Sequence, residues 1–128
     1  MKRKIVVTGI LEYKDEFLVV KRSDNEEYFK GAWEFPGGKL EDNELIVDGL
    51  KRELLEEINF DIQNRKINII NYYDELKNGL HYIELDFLIE VEKKDFKVKL
   101  SEEHVDYCWI KKDSNLIDEF IRMKIEKL

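Results

Sequence analysis

Apolar positions recur along this chain at two periods, near two and near three and a half. "KIVVTGILEY" (4–13) and "EFLVVKR" (16–22) are short runs of β-branched and aliphatic residues. They read as two strands joined by a turn at Lys14-Asp15. "SDNEEYFKGA" (23–32) is a polar loop, and "WEF" (33–35) is a short extended piece stopped by Pro36, the only proline. The period then lengthens. Val47, Leu50, Leu54 and Ile58 fall at helical spacing, with Ile46 and Leu55 widening the stripe. Asp42 or Asn43 is placed to cap this helix, and Asn59, which tolerates a left-handed backbone, to end it. "KINIINYYDE" (66–75) reads as a strand. "LHYIELDFLIEVE" (80–92) alternates, with Ile83, Leu85, Phe87, Ile89 and Val91 on one face and Glu84, Asp86 and Glu90 on the other. "KNG" (77–79) before it is a hairpin turn. "VDYCWIK" (105–111) is a last strand. "NLIDEFIRMKIEKL" (115–128) is an amphipathic closing helix, with Ile117, Phe120, Ile121, Ile125 and Leu128 inward. Strands around one internal helix, with another at the end, predict an α/β (α+β) fold: a mixed sheet covered on both faces.

The length of 128 residues predicts a single domain spanning 1–128, with no repeat or linker, large enough to bury roughly two thirds of its unfolded surface. With 43% apolar residues and charges of both signs mixed along the chain, it reads as folded rather than disordered. Cys108 is the only cysteine, which excludes an internal disulfide and a cysteine-based zinc cluster; within a strand it reads as buried and inert. No signal-peptide pattern or membrane-length apolar run is present, so the expectation is a cytoplasmic protein without membrane contact. The formal net charge of −7 argues against broad nucleic-acid binding, but not against a small phosphate substrate bridged by a cation.

That acidity makes one segment informative. Glu53, Glu56 and Glu57 crowd barely more than one turn of the internal helix, where like charges three and four apart repel by a few tenths of a kcal/mol. They lie towards its C-terminal half, where the helix dipole also disfavours anions. Either this face is merely solvated or a cation belongs there. Carboxylate oxygens suit a hard ion such as Mg²⁺. Gly37-Gly38 lets backbone approach a ligand closely and offers carbonyl oxygens.

Read from Gly38, the segment is G-x5-E-x7-R-E-L-x-E-E-x-N-F. It resembles the Nudix box, with Gly38, Glu44, Arg52, Glu53, Leu54, Glu56, Glu57 and Phe60 matching and Asn59 standing where the family has glycine. "WEFPGGK" before it looks like the MutT-type subgroup. The resemblance implies an α/β/α sandwich, its curved mixed sheet flanked by the box helix on one side and the C-terminal helix on the other. It implies Mg²⁺ or Mn²⁺ on Glu53, Glu56 and Glu57 with the Gly37 carbonyl nearby, Arg52 orienting the carboxylates and Glu44 supporting that network. The implied partner is a small nucleotide, cleaved by water at its diphosphate. A MutT-like enzyme would cut a nucleoside triphosphate, an oxidised or otherwise modified one included, to monophosphate and pyrophosphate. Relatives act on sugar-nucleotides, dinucleotides or RNA ends, and some bind nucleotide without catalysis; the intact box carboxylates argue against the last. A monomer or homodimer is expected.

Outside the box each candidate has two readings. Glu103 in "SEEHVDYCW" is the choice for an added metal ligand or general base, with Glu102 the alternative; either is otherwise a solvated loop acid. His104 reads as structural. Arg22 and Lys39 reach substrate phosphate or are plain surface charges. Phe35 and Trp33 stack on a base or pack the core. Asn115 reads a base edge, as in MutT-like relatives, or caps the last helix. Arg52 pairs within its helix with Asp48 or Glu56, a role compatible with the first.

Overall fold

The computed structural model describes residues 2–26, 30–92, 96–115, 119–126 and 128. Strand β1 (Lys2–Tyr13) turns into β2 (Glu16–Arg22) through Lys14 and Asp15, both at positive φ, as a primed two-residue turn requires. The hairpin stays paired only at its tip, Glu12 with Phe17 and Tyr13 with Glu16, and the strands then part. β1 runs parallel to β6 (Leu80–Glu90) along its whole length, and β6 is antiparallel to β5 (Ile67–Lys77). β2 instead takes β7 (His104–Lys111) and the two-residue β3 (Trp33–Glu34) as antiparallel partners. Into the gap left on β1 comes β4 (Gly37–Lys39), pairing with Val6–Thr8. The result is a mixed, splayed sheet, with β4 at the mouth of the splay.

Both faces of the sheet are covered. Helix α1 (Ile46–Ile58) lays Leu50, Leu54 and Ile58, all fully buried, against Val7, Leu11, Leu18, Phe87 and Ile89. Each such side chain contributes about 1.5–3 kcal/mol on burial. The helix approaches so closely that a Cβ on Gly9 would lie 2.8 Å from Leu54 Cδ2. Helix α2 (Glu119–Glu126) brings Ile121 and Ile125 to the opposite face, with Ile10, Phe17, Val19, Phe35 and Ile110. This is the expected sandwich. Ile117 and the side chain of Phe120, both expected on the inner stripe, lie outside what is described; Leu128 packs at the margin.

Three local expectations need correction. Leu45, not Asp42 or Asn43, occupies the N-cap of α1, without a side-chain cap hydrogen bond; Asn43 sits in the preceding turn at φ 64°. Val47 and Leu55 remain 43% and 51% exposed, and Ile46 40%, so the buried stripe is narrower than the apolar one. Glu57 instead enters the interior at 6% exposure. In keeping with a sheet covered on both faces, Glu84 and Asp86 on the second face of β6 are buried beneath α2. Cys108 is only half-buried. The C-terminal cap holds: Asn59 adopts φ 62°, its N–H donating to the Leu55 carbonyl at 3.1 Å and that of Phe60 to Leu54 at 3.2 Å.

Candidate active site

Pairing of β4 with β1 places Gly37 and Gly38 directly beneath α1. A Cβ on Gly38 would collide with the Glu53 carboxylate, and one on Gly37 with the Val7 carbonyl oxygen. The Gly37 N–H donates to Glu57 Oε2 at 3.0 Å. Two carboxylates of α1 are thus held against glycine backbone at one end of a cleft of about 450 Å³. Arg22, Glu34, Phe35, Lys39 and Glu103 line the same cleft.

Arg52 organises the outer side of this cluster. Its Nε and Nη2 donate as a fork to the two oxygens of Glu44, at 2.8 and 3.0 Å. Nη1 donates to Glu53 Oε1 at 2.8 Å and to Glu56 Oε2 at 3.4 Å, and Nη2 to the Lys39 carbonyl at 3.0 Å. Such charge-assisted forks fix orientation as well as charge. The Arg52 hydrogen bonds, with the Glu41 N–H, hold the Glu44 carboxyl down at about 2. The partners of Arg52 are therefore Glu44, Glu53 and Glu56, with Glu41 at 3.8 Å, rather than Asp48.

Among the described ion pairs, none gives Glu57 such a counter-charge. Burial pushes its carboxyl up to about 9; the Gly37 N–H offsets this only partly, and the nearby charges of Glu103, Glu53 and Glu34 add to it. Glu53 is also raised, by burial first, against the pull of Arg52. Glu103 comes from the turn before β7, where its backbone carbonyl accepts from the Ser23 N–H at 2.9 Å. Ligand-capable atoms of Glu57, Glu103 and His104 lie within 4.8 Å of one another. Glu102, next in chain to Glu103, is exposed and absent from the cleft lining. Glu56 is the most solvent-facing of the three box glutamates, with a side chain 58% exposed.

A supporting layer that sequence reasoning missed lies behind Glu103. His104 is buried, and its Nε2 lies 2.9 Å from Glu34 Oε1, which also accepts from Arg22 Nη1 at 3.1 Å. Although burial works the other way, the hydrogen bonds from His104 and Arg22 hold Glu34 below the usual carboxylate range. Arg22, which also pairs with Glu26, is thus a braced cleft residue rather than a free surface charge. Phe35 is 6% exposed and belongs to the α2-side core while touching the cleft; Trp33 packs against that core. Asn115 is exposed in the turn after β7, outside the cleft lining, and the neighbouring residues that would show whether it caps a helix lie outside those described. His81 lies away from the cleft, with Asp74 and Arg3 as its partners.

The cleft's far wall carries a second charged group. Lys124 of α2 sits between Glu84 and Asp86 of β6, 2.5 Å from Glu84 Oε2 and 3.3 Å from Asp86 Oδ1. Burial raises the Glu84 carboxyl despite the lysine. A lysine between the inward-facing Ile121 and Ile125, facing two acids on one strand face, is a signal legible in retrospect.

The donor set at the first end fits a hard divalent cation. It is oxygen-rich, it abuts glycine backbone, and its innermost carboxylate is driven towards neutrality when no counter-charge is present. Glu53, Glu56 and Glu57, with the Gly37 carbonyl, are residues that could hold one.

The family model for the NUDIX domain matches residues 2–124. A nucleoside triphosphatase, NudI, of Escherichia coli is 27% identical over 120 residues, covering 87% of this chain and 84% of its own. A MutT protein from Methanosarcina mazei has a solved structure that superposes with a TM-score of 0.81 at 26% identity, covering 98% of this chain and 92% of that one. A Caenorhabditis elegans Ap4A hydrolase superposes at 0.74 with 17% identity, over 99% and 94%, a likeness of fold alone.

Proposed function

Since the chain belongs to the NUDIX family, in its MutT-like branch, and is a hydrolase of that family, we propose that it cleaves nucleoside triphosphates to monophosphate and pyrophosphate with Mg²⁺ or Mn²⁺. The observation that carries this reading is the buried Glu57 carboxylate, held beside Glu53 against Gly37-Gly38 at one end of a cleft of about 450 Å³. The likeness to a nucleoside triphosphatase and a MutT protein supports the substrate class.

The cation, held by Glu53, Glu56, Glu57 and the Gly37 carbonyl, would neutralise phosphate charge and activate water. Arg52 fixes the carboxylates through its fork to Glu44 and its bonds to Glu53 and Glu56. Arg22 and Lys39, on the cleft wall, take the charge of the leaving phosphates. The water oxygen bonds to phosphorus as the bridging P–O bond between the α and β phosphates breaks. Glu103, placed beside Glu57, accepts the water proton, while the Glu34–His104 contact and the Ser23 N–H on the Glu103 carbonyl brace the turn that carries it.

The test is a panel of ordinary and modified nucleoside triphosphates, sugar-nucleotides and dinucleotides, incubated with Mg²⁺ or with chelator and resolved by chromatography. Equal amounts of monophosphate and pyrophosphate from a triphosphate, only with the cation, are expected. Turnover confined to the conjugates would move the enzyme to another Nudix specificity.

A further inference from the structure

The Lys124–Glu84–Asp86 group has no part in the phosphate chemistry, yet it closes the other end of the same cleft. Burying three charges is costly, and replacing such groups by apolar residues often stabilises a protein. Their presence therefore calls for a use.

Sheet register gives the distance. Lys39, Val6 and Glu84 form one row across β4, β1 and β6, and Gly37, Thr8 and Asp86 form the next. Adjacent strands lie about 4.8 Å apart, so Glu84 stands roughly 10 Å from the glycine end along the sheet. That is the span from the inner phosphates of a nucleotide to the edge of its base. Lys4, Val6, Thr8, Phe35 and Ile121 line the same cleft, so that three apolar side chains stand beside the charged groups.

Resting on the phosphate-end reading above, we propose that Glu84 and Lys124 form the base-recognition end of this cleft and select nucleotides whose base carries an exocyclic amino group. The chemistry follows from the inventory of donors and acceptors. Tyr82 OH lies 3.4 Å from Glu84 Oε1, and Asn71 Nδ2 donates to Asp86 Oδ2 at 3.2 Å. Among the described residues, no hydrogen bond of good geometry reaches Glu84 Oε2 or Asp86 Oδ1, although the Lys124 ammonium lies against both. Asp86 is 1% exposed and stands behind the pair, so Glu84 and Lys124 are the groups presented to a ligand. In either protonation state an oxygen of Glu84 remains an acceptor. It rewards an amino N–H, while the ammonium takes a ring nitrogen or carbonyl beside it. Uracil and thymine place carbonyl oxygens on both sides of their single ring N–H, so one of them faces the carboxylate.

The experiment separates this proposal from the hydrolytic reading by measuring binding without turnover. Calorimetry on the native protein compares nucleoside monophosphates in pairs: guanosine with inosine, which differ by the amino group alone, and cytidine with uridine and adenosine with inosine, in which a carbonyl and a ring N–H replace the amino group and ring nitrogen. At least tenfold tighter binding of the amino member is expected in one pair or more, the size of a hydrogen bond to a charged group. Glu84→Gln, which leaves Lys124 paired with Asp86, and Glu84→Met should each reduce that preference about tenfold, with melting curves showing both variants folded. Equal binding within all three pairs, or a preference unchanged in both variants, would overturn the assignment. Amino-selective binding without hydrolysis of any triphosphate would keep it and remove the hydrolytic reading; hydrolysis with indifferent binding would do the reverse.

Discussion

Two acidic groups face each other across one cleft, and they differ in where their counter-charge comes from. On the α2 side, Glu84 and Asp86 enclose Lys124, a cation supplied by the chain. On the α1 side, Arg52 is taken up by Glu44, Glu53 and Glu56, while Glu57 and Glu103 face each other with no cation of their own among the described ion pairs. A buried acid with a built-in partner is part of the folded protein's own electrostatics. A buried acid without one is held at a cost until something positive arrives. Loss of charge should therefore act in opposite directions at the two ends.

The largest effect is expected on the side that is already balanced. Lys124→Met leaves two buried carboxylates facing each other and should cost about 3–5 kcal/mol of stability in urea unfolding. Adding Glu84→Gln and Asp86→Asn to it should restore most of that loss. A fully stable Lys124→Met would break the comparison at its simpler end.

On the other side, Glu53→Gln should lower kcat by ~10²-fold or more, the scale of a lost catalytic electrostatic contact. Its melting temperature without metal should stay level or rise, because a carboxylate raised by burial has been removed. Near-normal turnover would show that Glu53 holds nothing that matters to the reaction.

Glu103→Gln should reduce kcat by roughly 10–10²-fold under saturating Mg²⁺, more than it raises KM, as for a displaced general base. Glu102→Gln, outside the cleft lining, should change neither parameter appreciably. A reversed pair would move the base one residue back along the chain.

The smallest effect is on pH. Folding raises the Glu57 carboxyl from its ordinary value of 4.5 to about 9, so across that window the folded protein binds more protons than the unfolded one. The Glu57 contribution to stability is therefore present at low pH and is lost as pH rises through about 9. A cation that competes with the proton should stabilise more at pH 8 than at pH 6, by ~2–5 °C in thermal melts with and without Mg²⁺. Equal stabilisation at both pH values would detach the cation from Glu57.

The sequence made the α1 end legible and left the α2 end hidden, for physical reasons. Glu53, Glu56 and Glu57 sit at fixed spacing on one helix, so local periodicity places them together; the parts of Arg52 and Glu44 came only through the resemblance to the Nudix box. The burial of Glu57 was not legible, because a charged residue filled a place that periodicity reserves for apolar ones. The meeting of Glu84 and Asp86 with Lys124 was not legible, because a two-residue period puts both acids on one face without saying which residue of a distant helix faces them. β4 escaped notice because three residues around two glycines carry no strand propensity; only pairing with β1, some thirty residues away in sequence, makes them a strand. His104 and Glu34 meet across 70 positions, a separation no local pattern spans.

The central claim is that the α1 end awaits a cation and the α2 end does not. Mn²⁺ titration followed by electron paramagnetic resonance, with a non-hydrolysable nucleoside triphosphate present, tests it in native protein and in the Glu57→Gln and Glu84→Gln variants. Bound Mn²⁺ is expected in the native protein and in Glu84→Gln, with a loss of affinity of about tenfold or more in Glu57→Gln. Absence of binding in the native protein, or its loss in Glu84→Gln with retention in Glu57→Gln, would contradict the account.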